Sequence, residues 1–339
     1  MKIQVIRAGL IAALSLSAAA QAVKVDPKLP RYLPVEGVSG SVKSVGSDTM
    51  NKLMALWGEG FHERYPDVSI EIEGKGSSTA PPALIKGAST FGPMSRAMKD
   101  KEIEDFEKAF GYVPTSLPSA IDMLAVYVHK DNPIARSGLT LQQVDAIFSK
   151  TRKGGHAREI RTWGEVGLTG EWAGKPISLY GRNSASGTYG YFKDHALFKG
   201  DFKDSVKEQP GSSAVVQGVA SDRYGMGYSG IGYKTADVAA VPLAADARSE
   251  LVAAEPENAY TGEYPLARFL YLYVNYKPGT RLDPLRREFV RYVYSRQGQE
   301  DVVKDGYFPV TAGIAADALA SVGEKIRLAE AGFSGDGGR

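Results

Sequence analysis

ISLYGRNSASGTYGYFKDHALF, residues 177–198, is the stretch on which the fold of this chain turns. Ile177-Ser178-Leu179 alternates apolar and polar residues, as a half-buried strand does, and the run ends at Gly181. The segment Gly181-Arg182-Asn183-Ser184-Ala185-Ser186-Gly187-Thr188 breaks it with turn formers, and Tyr189 to Phe198 resumes with a helical pattern. Strand, small polar turn and helix in that order form the building unit of an α/β protein.

The same design occurs twice earlier. Val45-Gly46-Ser47-Asp48-Thr49 opens a helix in which Met50, Leu53, Met54, Trp57 and Phe61 recur at helical spacing up to His62. The strictly alternating Val68-Ser-Ile70-Glu-Ile72 ends at Gly74, and Gly74-Lys75-Gly76-Ser77-Ser78-Thr79 leads through Pro81 and Pro82 into an apolar helix start. Further along, Asp283 and Pro284 read as N-cap and first residue of a helix that turns Leu285, Phe289, Tyr292 and Val293 inward.

Met123 to His129 (MLAVYVH) and Phe269 to Asn275 (FLYLYVN) are apolar nearly throughout, as strands buried on both faces are. They divide the chain into parts of domain size, which suits two lobes with the chain crossing between them at these strands; a single large sheet fits the pattern too. The two-lobe layout assigns residues 23–122 and 268–331 to lobe I and 123–267 to lobe II. Residues 332–339 form a glycine-rich tail.

Composition narrows the function. The chain has 339 residues, 43% hydrophobic and 24% charged, with no cysteine, so disulfide scaffolds, iron–sulfur centres and thiol nucleophiles are excluded. His62, His129, His156 and His195 are scattered with no His-Glu-x-x-His arrangement, which argues against a zinc enzyme. Residues 1–22 have the form of a cleavable export signal: Lys2 and Arg7 precede the apolar run Ala8 to Ala20, and Ala20-Gln21-Ala22 supplies small residues for cleavage. With no cysteine for lipid attachment, a free periplasmic protein is expected. Loss of Lys2 and Arg7 brings the formal charge from +2 to zero, so no global field attracts polyanions and no nucleic acid partner is expected.

Each of the three turns leaves unpaired N–H groups at a helix N-terminus, where the macrodipole is positive. Glycine permits close backbone approach and Ser or Thr hydroxyls add donors, a combination that receives phosphate, sulfate or carboxylate without net charge. Arg182 adds a fork of donors matched to a tetrahedral oxyanion. The same residues are also ordinary caps, each worth on the order of 1 kcal/mol, and any one turn alone reads that way first. Three of one composition, one carrying arginine, read as a shared anion site.

Other matches are weaker. Gly225-Met-Gly-Tyr-Ser-Gly230 fits G-x-G-x-x-G, but strand-like sequence follows it instead of a helix, so it reads as a tight glycine-rich strand. Arg281, Arg286, Arg287, Arg291 and Arg296 read as a solvated helix face, and Tyr271 and Tyr273 as core.

Across nearly the whole mature chain the sequence resembles the periplasmic phosphate-binding proteins of ABC importers, the PstS-like group of type II substrate-binding proteins. The likeness rests on GSDTMNKL (46–53), GKGSSTAPPALI (74–85), FGPMSR (91–96) and GRNSASGTYGYF (181–192), the last being the most specific. The resemblance implies a two-lobed α/β fold with phosphate clamped between the lobes. Arg182, Ser186, Gly187 and Thr188 fall on the clamping loop, Ser77 on the serine donor of the second turn, and Asp48 and Thr49 on ligand positions of the first; Ser47 and Ser78 flank these. The family's proton-accepting aspartate is here Ser95, and the aspartate that steadies the arginine is Ser184.

Phosphate keeps at least one proton at neutral pH and sulfate none, so a buried carboxylate would accept from one and repel the other. Asp48 is the only acid within the matched turns, which makes it the candidate acceptor; a helix N-cap is its other possible role. The expected function is capture of inorganic phosphate and delivery to permease subunits of the inner membrane by a monomer, with no metal or organic cofactor and no catalysis. Alternatives are the same fold holding sulfate or molybdate, a secreted phosphatase, or a phosphate sensor or adhesin without a transporter. Against the phosphatase stands the lack of a His or carboxylate cluster near the turns, since His195 alone supplies too few groups for acid–base chemistry.

Overall fold

The computed structural model describes residues 23–325, so the export signal and residues 332–339 lie outside the described residues. Strand β1 (Gly40–Val45) runs through the first glycine–serine turn into α1 (Asn51–His62). Strand β2 (Val68–Glu73) leads by the second turn into α2 (Ala80–Ile85), and β3 (Phe91–Met94) precedes α3 (Asp100–Phe110). The long strand β4 (Thr115–His129) follows. Next come α4 (Ile134–Ser137), β5 (Leu139–Thr140) and α5 (Leu141–Phe148). Strand β6 (Ser178–Arg182) passes through the third turn into α6 (Gly187–His195), and β7 (Lys207–Gln209) is followed by α7 (Ser212–Ser221). Strands β8 (Gly225–Gly230), β9 (Val238–Ala240) and β10 (Leu243–Ala244) precede α8 (Pro256–Thr261). Strand β11 (Ala267–Val274) then leads to α9 (Pro284–Val293), α10 (Arg296–Asp305) and α11 (Ala312–Ser321).

Two arrangements left open by the sequence coexist. The strands form one path, β2-β1-β3-β11-β4-β8-β6-β7, with β9 also on β4 and a separate β10-β5 ribbon. Yet the apolar side chains divide into two main cores. One gathers Trp57, Phe61, Phe289 and Tyr292 beneath α1, α9 and α10; the other gathers Phe148, Trp163, Phe192 and Tyr228. Strand β4 belongs to both: Leu117 and Ala120 pack in the first core, Met123, Leu124 and Val126 in the second. Its first half pairs antiparallel with β11 and its second with β8. A strand buried on both faces and shared by two cores must be apolar along its length, which is why MLAVYVH shows no alternation.

Strand β11 departs from that expectation. From Ala267 to Tyr271 its side chains alternate between half-buried and buried, because Phe269 and Tyr271 lie on a less covered face, and only Leu272 to Val274 is buried throughout. Tyr273 is core, and its hydroxyl accepts the Met98 N–H at 2.9 Å. The glycine-rich segment 225–230 is a fully buried strand, as its sequence suggested. Asp283 caps α9 by accepting the Arg286 N–H at 3.0 Å. The arginines of α9 do more than face solvent: Arg287 and Arg291 both pair with the buried carboxylate of Glu288.

Candidate functional site

The three turns meet where the two cores face one another. From the first core come Ser47, Asp48 and Thr49 at the entrance to α1, Ser77 before α2, and Ser95 just after β3. From the second come Arg182 at the end of β6 and Ser186, Gly187 and Thr188 at the start of α6. All nine are buried. Ser78 is half-buried and turned to one side, where its hydroxyl accepts from Arg96 at 3.2 Å; Arg96 is itself forked onto Glu102.

Close backbone approach explains the glycines. Gly76 has φ +118°, and a Cβ there would lie 2.4 Å from the Ala185 carbonyl oxygen, on the loop from the other core. The neighbouring Ser78 N–H donates to that same carbonyl at 3.1 Å. A Cβ on Gly187 would lie 2.2 Å from Ser77 Oγ and 2.7 Å from Ser95 Oγ, so the start of α6 is seated directly on the serines opposite.

Inside this contact the hydroxyls form two groups. Ser47 Oγ donates to Ser95 Oγ at 3.1 Å, and Ser77 Oγ lies 3.4 Å from Ser95 Oγ while accepting the Ser95 N–H at 3.0 Å. In the second group Thr49 Oγ1 lies 3.0 Å from Thr188 Oγ1 and 3.4 Å from Ser212 Oγ. Ser186 caps α6, accepting the Tyr189 N–H at 3.3 Å, which leaves its own proton to donate.

Asp48 does not cap its own helix. One carboxylate oxygen receives the Arg182 guanidinium, and the other accepts the Ser212 N–H at 2.9 Å. The carboxylate that the resemblance placed beside the arginine, at position 184, is thus supplied from across the contact, while Ser184 is exposed. Arg182 also donates to Ser212 Oγ at 3.0 Å, and its own N–H is held by the Tyr228 hydroxyl at 3.2 Å. Tyr228 in turn stacks on Phe192 at 3.9 Å. The buried Arg182 Nε has no partner among the described residues, an unspent charged donor in a place where such groups are normally satisfied.

Four contributors escaped the sequence reading. Ser212 opens α7 directly after Pro210-Gly211, a fourth glycine–serine turn of the same kind whose composition alone could have flagged it. Tyr233 donates to the Asp48 carbonyl at 3.0 Å, with the Thr49 carbonyl at 3.2 Å. Burial, with the Asp48 carboxylate nearby, raises its phenol above the ordinary value and keeps it a donor. Arg268 and Asp122 form a buried ion pair at 2.8 Å where β11 crosses β4, beside Thr188 and Ser95. No local pattern announces an ion pair made by strands so far apart in sequence.

The arrangement offers buried hydroxyls, helix-start amides and guanidinium donors, with one carboxylate among them. That chemistry suits a small oxyanion that still carries a proton. Acid–base chemistry is poorly supplied: burial lowers the His195 imidazole, and the ring lies tilted against Tyr191 with centroids 4.1 Å apart. Among the described residues no His, Asp and Glu side chains gather in a group that could hold a metal ion, and no helix is long and apolar enough to cross a membrane.

A family model described as a PBP superfamily domain matches residues 34–297. The phosphate-binding protein PstS of Pseudomonas aeruginosa is 53% identical over 324 residues, which is 95% of this chain and 100% of that protein. PstS of Bacillus subtilis is 28% identical over 279 residues, 81% of this chain and 83% of that one. Among solved structures, a candidate phosphate ABC transporter substrate-binding protein from Clostridium perfringens, with bound phosphate, superposes with a TM-score of 0.67 at 28% identity. It is covered over 100% of its length by 80% of this chain.

Proposed function

This chain belongs to the PBP superfamily and, within it, to the PstS phosphate-binding proteins, and from that premise we propose that it captures inorganic phosphate and delivers it to the permease of an ABC importer. The observation that carries the reading is the buried contact in which hydroxyls and guanidinium groups from two separate cores are interleaved. We take residues 23–122 with 268–331, of which 326–331 lie outside the described residues, as one lobe and 123–267 as the other, closing over the anion. Ser47, Thr49, Ser77, Ser95, Ser186, Gly187 and Thr188 then supply hydroxyl and amide donors, Ser78 lies at the rim, and Arg182 supplies the charge. Closure excludes water, which strengthens each of these bonds.

Asp48 takes the discriminating role. Each of its oxygens is engaged once, and a carboxylate oxygen has a second lone pair to receive the phosphate proton. Sulfate brings no proton and meets only repulsion there. The protein acts as a monomeric binding protein without hydrolysing phosphate esters, in the periplasm after cleavage following Ala22, and meets permease subunits of the inner membrane in its closed form.

Calorimetry of the chain lacking residues 1–22 tests the reading. Phosphate is expected to bind 1:1, with sulfate weaker by roughly 10⁴, the scale on which a site built to pair a hydroxyl rejects an analogue without it. Tighter binding of sulfate or molybdate overturns the choice of anion. Turnover of a phosphomonoester in the same preparation overturns the absence of catalysis.

A further inference from the structure

We infer that Arg268 is a positioning residue for the anion site, acting through the Thr188 hydroxyl; the inference rests on the phosphate reading of that site. Arg268 comes from β11, outside the segments that carry the likeness to phosphate-binding proteins, yet it reaches both sides of the contact. Its Nε and one terminal nitrogen bond Asp122 at 3.0 and 2.8 Å, that same terminal nitrogen donates to Thr188 Oγ1 at 3.0 Å, and the other donates to the Ser95 carbonyl at 2.8 Å. Asp122 also accepts the Ile231 N–H at 2.9 Å, steadying the turn that carries Tyr233.

The consequence lies in hydroxyl proton direction. Thr188, Thr49 and Ser212 form a row whose ends meet guanidinium groups, Arg268 at Thr188 and Arg182 at Ser212. A guanidinium only donates, so both end hydroxyls must accept from it and turn their single protons away. Thr49, between them, has two lone pairs and can accept from both neighbours, which leaves its own proton for a ligand. With arginine at both ends one proton of the Thr49–Thr188 pair is always left for an anion, that of Thr49 when it accepts from Thr188 and that of Thr188 when it accepts from Thr49. Without Arg268 both lone pairs of Thr188 are open and nothing turns its proton away from β11, so the row loses its fixed direction. Asp122 balances the Arg268 charge, so the residue supplies direction more than attraction.

A double-mutant cycle read by phosphate calorimetry tests this. R268M is expected to weaken phosphate binding about tenfold in the wild-type background, the worth of one charge-assisted hydrogen bond, and less than twofold in T188V. R268K keeps a cation against Asp122 but loses the fork, and it should show the same background-dependent loss if R268M fails to fold. Equal fold-losses with and without Thr188, or no loss in a folded variant, overturn the assignment and point to a purely structural ion pair. The wild-type titration separates the two layers. A wild type that binds no phosphate removes the phosphate reading and this inference together, whereas tight wild-type binding with additive losses removes only the role of Arg268.

Discussion

Arg182 and Arg268 are both buried, both paired with aspartate and both at the seam between the cores, and they differ in what they leave unspent. Arg268 commits donors from all three of its nitrogens to Asp122, Thr188 and Ser95. Arg182 commits one bond from each terminal nitrogen, to Ser212 and Asp48, and its buried Nε has no partner among the described residues. Donors held in reserve inside a protein carry a desolvation cost that something else must offset, and under the proposed function that reserve is what fits Arg182 to handle the anion. Arg268, with four of its five N–H groups engaged, is the one proposed to organise its surroundings. Burial and charge alone do not separate these two arginines; the count of unspent donors does.

Replacing each arginine by methionine puts that contrast to its hardest test. R182M removes several charge-assisted bonds at roughly 1.5–3 kcal/mol each and leaves the Asp48 carboxylate facing the anion, so phosphate affinity should fall by about 10³ or more. R268M should cost about tenfold. Calorimetry on both variants checks the ratio, and equal losses would erase the distinction between the two roles.

The fit between the cores gives the next largest effect. G187A places a methyl against Ser77 and Ser95, whose backbones are fixed by the turns, and overpacking of this kind costs typically 1–3 kcal/mol. Because the strain exists only when the cores are in contact, it should appear as a loss of phosphate affinity of roughly 10- to 100-fold with the melting temperature little changed. Scattering from the phosphate-saturated variant should show a larger radius of gyration than the wild type. A variant that binds and compacts normally shows that the serines yield.

Asp48 probes the same contrast from the other partner. D48N keeps an acceptor for Arg182 but cannot also accept both the Ser212 N–H and a ligand proton. The preference for phosphate over sulfate should fall about tenfold or more while Arg182 stays in place. Competition between the two anions in one titration measures it, and an unchanged preference assigns Asp48 to pairing with Arg182 alone.

How far the sequence could foresee this depends on whether the chemistry is local. The turns at 46–49, 74–79 and 181–188 are contiguous strings with a recognisable composition, and they do converge. Ser212 belongs to a string of the same kind and was legible in principle. The Arg268–Asp122 pair was not, because it is made by antiparallel strands whose register nothing in either segment specifies. The double role of Asp48, offered by the sequence as cap or proton acceptor, was settled against the cap by a residue 164 positions away whose amide it accepts. Likewise, periodicity marked β4 as buried on both faces but could not say that its two halves serve different cores.

Asp305 supplies the control, a buried carboxylate that has no arginine. Its partner is Lys52, at 2.9 Å and more than half exposed. Burial therefore wins over the lysine, with the Asp122 charge adding to it, and the carboxyl rises from 3.8 to about 6. A raised carboxyl binds its proton more tightly in the folded chain than in the unfolded one, so its contribution to stability is greatest at low pH and is lost as pH climbs from about 4 through about 6. The size is on the order of 2–3 kcal/mol for a shift of this extent. Since Asp305 touches none of the anion-site hydroxyls, D305N should change phosphate affinity less than twofold. The difference in melting temperature between D305N and the wild type should grow in favour of the variant between pH 4 and pH 6, then level off. A difference that stays flat across that window means the Lys52 ammonium neutralises the carboxylate after all.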